Sequence, residues 1–188
     1  MKELKGSKTE KNLLTSFAGE SQARNRYTYF ASAAKKEGLE LVSRTFLEIA
    51  DQEKEHAKRF FNLLQGGEVE ITGAFPAGVV GKADDNLMAA ANGEKHEHSR
   101  IYPDMAKVAE EEGFPAIASL FRFVSVAEAE HERRYRALLD LITKGRMFKR
   151  EKPVKWRCLN CGFVHEGTDA PGACPACAHP QAYFEALN

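Results

Sequence analysis

Two segments of the chain, 75 residues apart, carry a glutamate and a histidine at the same spacing. Glu53 and His56 are three positions apart, and so are Glu128 and His131. Both pairs lie in runs of helix-forming residues, and positions three apart share one face of a helix. Each segment therefore presents one oxygen ligand and one nitrogen ligand in the same direction. Two such segments, joined by one glutamate from each of two further helices, form the di-iron carboxylate site of a four-helix bundle.

Glu20 and Glu94 are the candidates for the two further carboxylates. Counted from the glycine that ends the first helix of each hairpin, the four glutamates lie 18 and 15 residues away in the first half and 19 and 15 in the second. At about 1.5 Å per residue the differences are about 5–6 Å, so all four can meet at one level. A helical glutamate is usually solvated, but six ionisable residues in matching places are not explained that way. Buried without metal, four carboxylates would repel one another, whereas oxygen and imidazole ligands suit iron or manganese.

Glu97 has no counterpart in the first half of the chain. It lies three residues after Glu94, on the same helix face, and adds a fifth inward carboxylate beside the predicted site. Its neighbours His96 and His98 point elsewhere, so we expect them to be solvated. Tyr27 lies seven residues after Glu20, two turns along the same helix face. It either donates a hydrogen bond to a ligand or fills the bundle.

Four cysteines form a second metal motif, in the pairs Cys158–Cys161 and Cys174–Cys177. Each Cys-x-x-Cys turn chelates one ion, and two turns close a tetrahedral four-sulfur site. In a reducing compartment this spacing favours metal over disulfides. The ion is zinc or a single iron, since four thiolates suit both. A module of about 36 residues is too small for a sufficient core, so we expect the metal to stabilise its fold.

Four helices must position the bundle ligands. Residues typical of turns mark the ends of these helices. Pro103 should bend the third helix, because proline removes one backbone donor. Short glycine turns join the first helix to the second and the third to the fourth, which predicts two antiparallel hairpins. The predicted helices run from Ser7 or Thr9 to about Glu37, from about Leu39 to Gln65, from about Asp84 to Gly113, and from Pro115 to about Gly145.

The segment 66–84 joins the two hairpins and contains five glycines and one proline. It reads as a loop. A helix of about 27 residues is about 40 Å long, and some 18 extended residues reach about 55–60 Å. The loop can therefore cross the whole bundle and make the second and third helices parallel. This long crossover predicts a mainly α, ferritin-like four-helix bundle, followed by a small metal-bound β module.

The two halves of the bundle also match outside the ligands, which indicates an internal duplication. At an offset of 75, Tyr27 matches Tyr102 and Phe46 matches Phe121. Further upstream the offset is 74, where Gly19-Glu20 matches Gly93-Glu94.

Composition narrows the functional classes. Lys plus Arg and Asp plus Glu both number 27, so the net charge is zero, which argues weakly against a nucleic-acid surface. No apolar run approaches the roughly 18 residues of a membrane span, and the N-terminus has no apolar signal core. We therefore expect a cytoplasmic protein with no nucleic-acid or membrane partner. The expected domains are residues 1–146 and 153–188, with a basic linker at 147–152.

Taken together, these motifs resemble the rubrerythrin family over essentially the whole chain. The resemblance implies a ferritin-like di-iron domain followed by a rubredoxin-like domain with one iron bound by four cysteines. The Cys161–Cys174 linker is shorter than in free rubredoxins, as is usual in this family. The matching ligands are Glu20, Glu53, His56, Glu94, Glu97, Glu128 and His131, with Cys158, Cys161, Cys174 and Cys177 for the four-cysteine iron.

The resemblance implies a peroxidase that reduces hydrogen peroxide to water. Electrons would come from NAD(P)H through a separate reductase, rubredoxin or both. Glu53 and Glu128 would bridge the irons, with one further glutamate as terminal ligand to each. His131 would bind one iron, while His56 and Glu97 would compete for the other as its oxidation state changes. The resemblance also implies a head-to-tail homodimer, in which the rubredoxin-like module docks on the partner's bundle.

Two other functions fit parts of the sequence. A ferroxidase or iron-handling bundle that uses dioxygen shares most of the ligands, but Glu97 and the four-cysteine relay count against it. A binding protein with a zinc ribbon and a structural bundle fits the cysteines only. A red colour in the oxidised protein distinguishes iron from zinc in the four-cysteine site.

Overall fold

The computed structural model describes residues 3–187. Four helical rods form a ferritin-like bundle, and a small antiparallel sheet follows it, which confirms the predicted mainly α fold class. No helix among the described residues is long and apolar enough to cross a membrane. The rods are α1 (Lys8–Lys36), α2 (Glu40–Phe61), a third rod made of α3 (Ala83–His96), a π-helical turn (Glu97–Ile101) and α4 (Tyr102–Glu111), and a fourth, α5 (Pro115–Thr143).

The two hairpins are closed by the same glycine turn. Gly38 has a φ of +74° and Gly113 a φ of +82°, a conformation that glycine adopts without steric cost. The amide of Gly38 donates to the carbonyl of Lys35 at 3.1 Å, and the following amide, of Leu39, reaches back to Ala34 at 3.0 Å. The same two bonds recur at the second turn. Both helix ends are therefore satisfied without side chains.

Two glutamates cap helices reciprocally between the hairpins. Glu37, at the end of α1, accepts from the amide of Ala83 at 2.9 Å, at the start of α3. Glu112, at the end of α4, accepts from the amides of Lys8 at 3.1 Å and Thr9 at 2.8 Å, at the start of α1. Each end of α1 thus lies beside the opposite end of the third rod, so these two run antiparallel. Since α1 is also antiparallel to α2, α2 and the third rod are parallel.

Backbone and side-chain hydrogen bonds decide two of the predicted helix boundaries. Ser7, not Thr9, caps α1: the Ser7 hydroxyl accepts from the amide of Glu10 at 3.0 Å, while the Glu10 carboxylate accepts from Gly6 at 2.7 Å. The predicted end of the second helix at Gln65 is four residues too late. After α2 ends at Phe61, the next turn tightens to bonds between residues three apart, which ends the α-helix before the glycines.

The third rod is interrupted just before Pro103, in the form of a π-helical turn that begins at Glu97. The amide of Tyr102 donates to the carbonyl of Glu97, five residues back. Pro103 then occupies the first turn of α4, where a missing amide hydrogen is tolerated. A π-turn inserts one residue into a helix. The inserted residue lies between Glu94 and Tyr102, where the offset between the halves changes from 74 to 75.

The C-terminal sheet has the strand order β2-β1-β3, with β1 (Lys149–Cys158), β2 (Val164–Asp169) and β3 (Phe184–Leu187). Its core is formed around Trp156 and Phe184, both fully buried. Met147 is buried in the bundle core, and Phe148 packs against both cores. The module therefore rests on the end of the bundle that carries the α1–α2 turn. Arg44 of α2 fixes the contact by donating to the carbonyl of Leu159 at 2.8 Å.

The capping role of Glu112 gives a first prediction. Glu112→Gln should lower the free energy of unfolding by about 1 kcal/mol, because a charge-assisted cap on two amides and the Thr9 hydroxyl is weakened. Urea unfolding of the metal-loaded protein measures the change. Glu111→Gln is the matched control, since the exposed Glu111 carboxylate lies only within 3.9 Å of Lys107. Equal shifts in the two variants would contradict the capping role.

Candidate metal centres

Six of the seven predicted bundle ligands meet at one level of the four rods. Their ligand atoms form two groups, each with all atoms within 4.8 Å of one another. Glu53 of α2 and Glu128 of α5 belong to both groups. Two neighbouring ions that share two carboxylates require this overlap. The groups are Glu20, Glu53, His56 and Glu128, and Glu53, Glu94, Glu128 and His131.

Short, poorly aligned contacts show that these atoms face a common point. His131 Nδ1 lies 2.7 Å from Glu128 Oε2 and 3.0 Å from Glu53 Oε1, yet these atoms make no hydrogen bond within residues 3–187. Two ligands at right angles, each about 2.1 Å from one ion, are about 3.0 Å apart. The Oε2 atoms of Glu20 and Glu94 are likewise buried without a partner in the described chain. Orphaned buried carboxylate oxygens are costly, so the cluster fits metal ions.

The two histidines hold protons in the metal-free cluster. Burial opposes protonation, but the adjacent carboxylates of Glu128 and Glu53 overcome it at both rings. They raise the pKa of His56 to about 10 and the pKa of His131 to about 12. A metal ligand must be a neutral imidazole, so a bound ion replaces these protons.

Burial raises the pKa of each of these carboxyls, but their neighbours differ. Burial and the charge of Glu53 raise the pKa of Glu20 well above its usual range and the pKa of Glu94 to about 8. Burial also acts on Glu53 itself, but the adjacent imidazoles of His131 and His56 outweigh it and lower the pKa of Glu53 to about 2. Glu53 is thus ionised at neutral pH, while the carboxyls of Glu20 and Glu94 hold their protons more tightly than an ordinary glutamate does.

Two tyrosines bind buried carboxylates of the cluster across the bundle. The Tyr27 hydroxyl donates to Glu94, and the Tyr102 hydroxyl donates to Glu20. Tyr27 therefore has the first of the two roles left open by the sequence. Tyr102, its partner in the repeat, makes the reciprocal bond, which the sequence analysis did not predict. Burial and the bound carboxylates raise the pKa of both tyrosines, which keeps their hydroxyls protonated.

Gln52 is a supporting residue that sequence reasoning missed. Its side-chain oxygen lies 3.0 Å from His131 Nε2, the ring nitrogen that faces away from the carboxylates. Accepting a hydrogen bond there leaves Nδ1 free to bind a metal. The repeat gives no signal for this residue, because the matching position in the second half is Ala127.

Glu97 lies beside the two ligand groups but belongs to neither. Burial raises its pKa well above the usual range, and the charges of Glu94 and Glu128 add to the shift. The carboxyl is therefore within electrostatic reach of the cluster. His96 is exposed, as predicted, but His98 is not simply solvated: its Nε2 lies 2.6 Å from Glu132 Oε2. A carboxylate on α5 faces it, which a single-helix argument could not foresee.

The sulfurs of the four cysteines form a compact group. These atoms lie within 4.8 Å of one another, and the pairs Cys158–Cys177 and Cys161–Cys174 are 3.7 Å apart. A disulfide requires about 2.05 Å, so these are separate thiols. A tetrahedron with bonds of about 2.3 Å to its centre has edges of about 3.8 Å, so the spacing fits one four-thiolate ion.

The two halves of this site repeat one backbone turn. Gly162 donates to the carbonyl of Cys158 at 2.8 Å, and Ala178 donates to that of Cys174 at the same distance. Both residues have positive φ, +79° for Gly162 and +58° for Ala178. Alanine rarely adopts this conformation, so the second turn carries backbone strain that the first avoids. The amide of His179 lowers the pKa of the Cys177 thiol to about 6, which favours the thiolate.

Known proteins resemble this chain over both candidate metal centres. A sequence model described as Rubrerythrin matches residues 11–139, and one described as Rubrerythrin, rubredoxin-like domain, matches residues 156–185. The chain is 57% identical over 188 residues to rubrerythrin of Nitratidesulfovibrio vulgaris, covering 100% of this chain and 98% of that one. It is 59% identical over 187 residues to rubrerythrin of Porphyromonas gingivalis, with coverage of 100% and 94%. A solved structure of nigerythrin in its fully reduced, all-ferrous state is 32% identical, with a TM-score of 0.65 and coverage of 98% and 91%.

Metal binding to the bundle should release protons. At neutral pH both site histidines are protonated without metal, so low pH favours the metal-free form and affinity rises with pH. Calorimetry with ferrous ion, in anaerobic buffers of different ionisation enthalpy, measures the protons released. His131→Gln should release about one proton fewer than the unchanged chain. An affinity that does not change between about pH 6 and pH 8 would contradict this account.

The strained turn at Ala178 gives a stability prediction for the module. Ala178→Gly should stabilise it by about 1 kcal/mol, whereas Gly162→Ala should destabilise it by a similar amount. An added Cβ at Gly162 meets no atom within 4 Å, so conformation alone sets that cost. Trp156 is the only tryptophan, and its fluorescence reports urea unfolding of the module. A lower unfolding midpoint for Ala178→Gly would contradict the strain.

Proposed function

The chain belongs to the rubrerythrin family, and on that premise we propose that it reduces hydrogen peroxide to water. The strongest support is that the two halves of the bundle site repeat each other except at Glu97. Two ligand groups share Glu53 and Glu128, and the unpaired carboxyl of Glu97 lies beside them. A four-thiolate site sits on the same chain. Iron storage requires neither the extra carboxyl of Glu97 nor a four-thiolate site.

Different residues of the bundle would hold the two ions in different ways. Glu53 and Glu128 belong to both ligand groups, so these two carboxylates would contact both ions. Glu20 and Glu94 are the terminal carboxylates, each held by a tyrosine from the opposite half of the repeat. When bound, a ferrous pair supplies two electrons to the O–O bond together. Delivery of both electrons at once avoids a free hydroxyl radical.

His56 and Glu97 are proposed as alternative ligands on the Glu20 side of the site. His56 already belongs to that ligand group, with its Nδ1 3.0 Å from oxygens of both bridging carboxylates. Glu97 lies outside it, at the start of the π-helical turn. A carboxylate favours the ferric ion and a neutral imidazole suits the ferrous ion, so the pair serves both oxidation states.

Reduction of hydrogen peroxide to two waters consumes two protons, and the chain holds protons close to the site. Burial raises the pKa values of the Glu20 and Glu97 carboxyls well above the usual range, so these groups hold their protons more tightly than an exposed glutamate does. Tyr102 links one of them to the third rod through its hydroxyl. A carboxyl that holds a proton in the resting cluster can give it to a departing oxygen.

The four-thiolate site serves as the electron entry in this proposal. Its four sulfurs lie within 4.8 Å of one another and would together hold one iron, which would exchange single electrons. The module contacts its own bundle at Arg44, nine residues before Glu53. We propose that it serves the bundle of a partner subunit in a head-to-tail homodimer. The electrons come from an NAD(P)H-dependent reductase, rubredoxin or both, in the cytoplasm.

Rapid mixing distinguishes peroxide reduction from a ferroxidase reaction. The anaerobically reduced protein, loaded with iron, should be reoxidised at least about tenfold faster by hydrogen peroxide than by dioxygen. Glu97→Ala should slow the peroxide reaction by at least about tenfold while iron content stays unchanged. Glu111→Ala, an exposed glutamate on the same rod, is the control. Faster reoxidation by dioxygen would overturn the proposal in favour of iron handling.

A further inference from the structure

A cavity of about 300 Å³ lies beside Glu97, between α1, the crossover segment and the third rod. Hydrogen peroxide has two heavy atoms and needs roughly 60 Å³, about twice the share of one water in the liquid. The cavity is therefore several times larger than that substrate requires. Its walls include the side chains of Phe75, Ile101 and Met105 as well as the polar groups of Arg26 and Tyr102.

Two glycines inside helices create this space. Gly19 of α1 and Gly93 of α3 both line the cavity, and each directly precedes a terminal glutamate ligand. Glycine inside a helix costs about 0.5–1 kcal/mol relative to alanine. Packing does not require it at Gly93, where an added Cβ meets no atom within 4 Å. The empty volume itself is therefore the feature that these glycines provide.

The crossover segment forms the outer wall of the cavity. The ring of Phe75 lies 3.9 Å from the position of a Cβ on Gly19, and 39% of this side chain is exposed. Gln22 holds the segment in place by donating to the carbonyl of Pro76 at 2.7 Å. Arg26 fixes the orientation of that amide by donating to its oxygen at 3.1 Å. Phe75 thus lines the same cavity as Glu97 from a tethered segment and is partly exposed to solvent.

We propose that this cavity admits small organic hydroperoxides and that Phe75 and Gly93 set the size limit. The inference rests on the proposed peroxide reduction. The –OOH group points toward Glu97 and the metal site, and the organic group contacts Phe75, Ile101 and Met105. The O–O bond is cleaved by two electrons from the same donor chain, and two protons are taken up. One hydroperoxide thus gives one alcohol and one water.

Steady-state kinetics of the iron-loaded protein test the size limit with hydrogen peroxide and cumene hydroperoxide. Gly93→Leu fills the cavity and should lower kcat/KM for cumene hydroperoxide at least about tenfold, with less than about twofold change for hydrogen peroxide. Phe75→Ala opens it and should raise the ratio of the two values. Val80→Ala is the control, because Val80 is 52% exposed on the same segment and does not line the cavity.

A binding measurement complements the kinetics. In the full-length chain loaded with diamagnetic zinc and carrying ¹³C-methyl methionine, the product alcohol 2-phenyl-2-propanol should shift the Met105 resonance. The resonances of Met88, which is exposed on α3, and Met147, which is buried near the module, should not move. Gly93→Ala is expected to fold well, since alanine favours helix, and should weaken this binding.

The outcomes separate the two proposals. If hydrogen peroxide is not reduced, the proposed function fails and this inference fails with it. If hydrogen peroxide is reduced but cumene hydroperoxide is not, and the Met105 resonance does not move, the inference alone is overturned. An unchanged substrate ratio in both Gly93→Leu and Phe75→Ala also overturns it.

Discussion

The structure depends on the burial of carboxylates at one level of a helical bundle. Four glutamates are almost completely excluded from solvent there, and several of their oxygens make no hydrogen bond within residues 3–187. Such a cluster opposes folding unless positive charge is placed among the carboxylates. Protonated histidines supply part of that charge without metal, and ions supply it when bound. The aromatic packing around the site, with Tyr27 and Phe46 on one side and Tyr102 and Phe121 on the other, holds the rods that keep these groups close.

The two hairpins make reciprocal contacts that hold the carboxylate cluster in place. Each hairpin places a glutamate on the first amides of the other, and each half donates a tyrosine hydroxyl to the terminal carboxylate of the other. These contacts fix the depth of α1 against the third rod at both ends and in the middle. The carboxylates consequently meet although each comes from a different rod. The small differences in depth estimated along the chain are absorbed by side-chain length.

The two halves of the chain differ at the π-helical turn that begins at Glu97 and at the four-cysteine module. The π-helical turn adds one residue after Glu94, so Glu97 begins a wider turn and the first half has no equivalent. The same insertion restores Tyr102 to the position that pairs it with Glu20. The four-cysteine module is attached at one end only, and Arg44 and Phe148 anchor it to the bundle. A symmetric metal site thus has one open, asymmetric side, where the cavity and the crossover segment lie.

The sequence by itself determined the four rods, the crossover, the six residues that meet in the bundle and the four cysteines, because spacing on a helix or in a Cys-x-x-Cys turn fixes direction locally. The change of offset from 74 to 75 also recorded the π-turn, although only the backbone shows which residues it contains. Tertiary structure alone decided the roles of Gln52 and His98, since their partners come from other helices. It also decided the place of Glu97 beside the ligand groups and the cavity opened by Gly19 and Gly93. Those features depend on distances between rods, which no periodicity within one rod can specify.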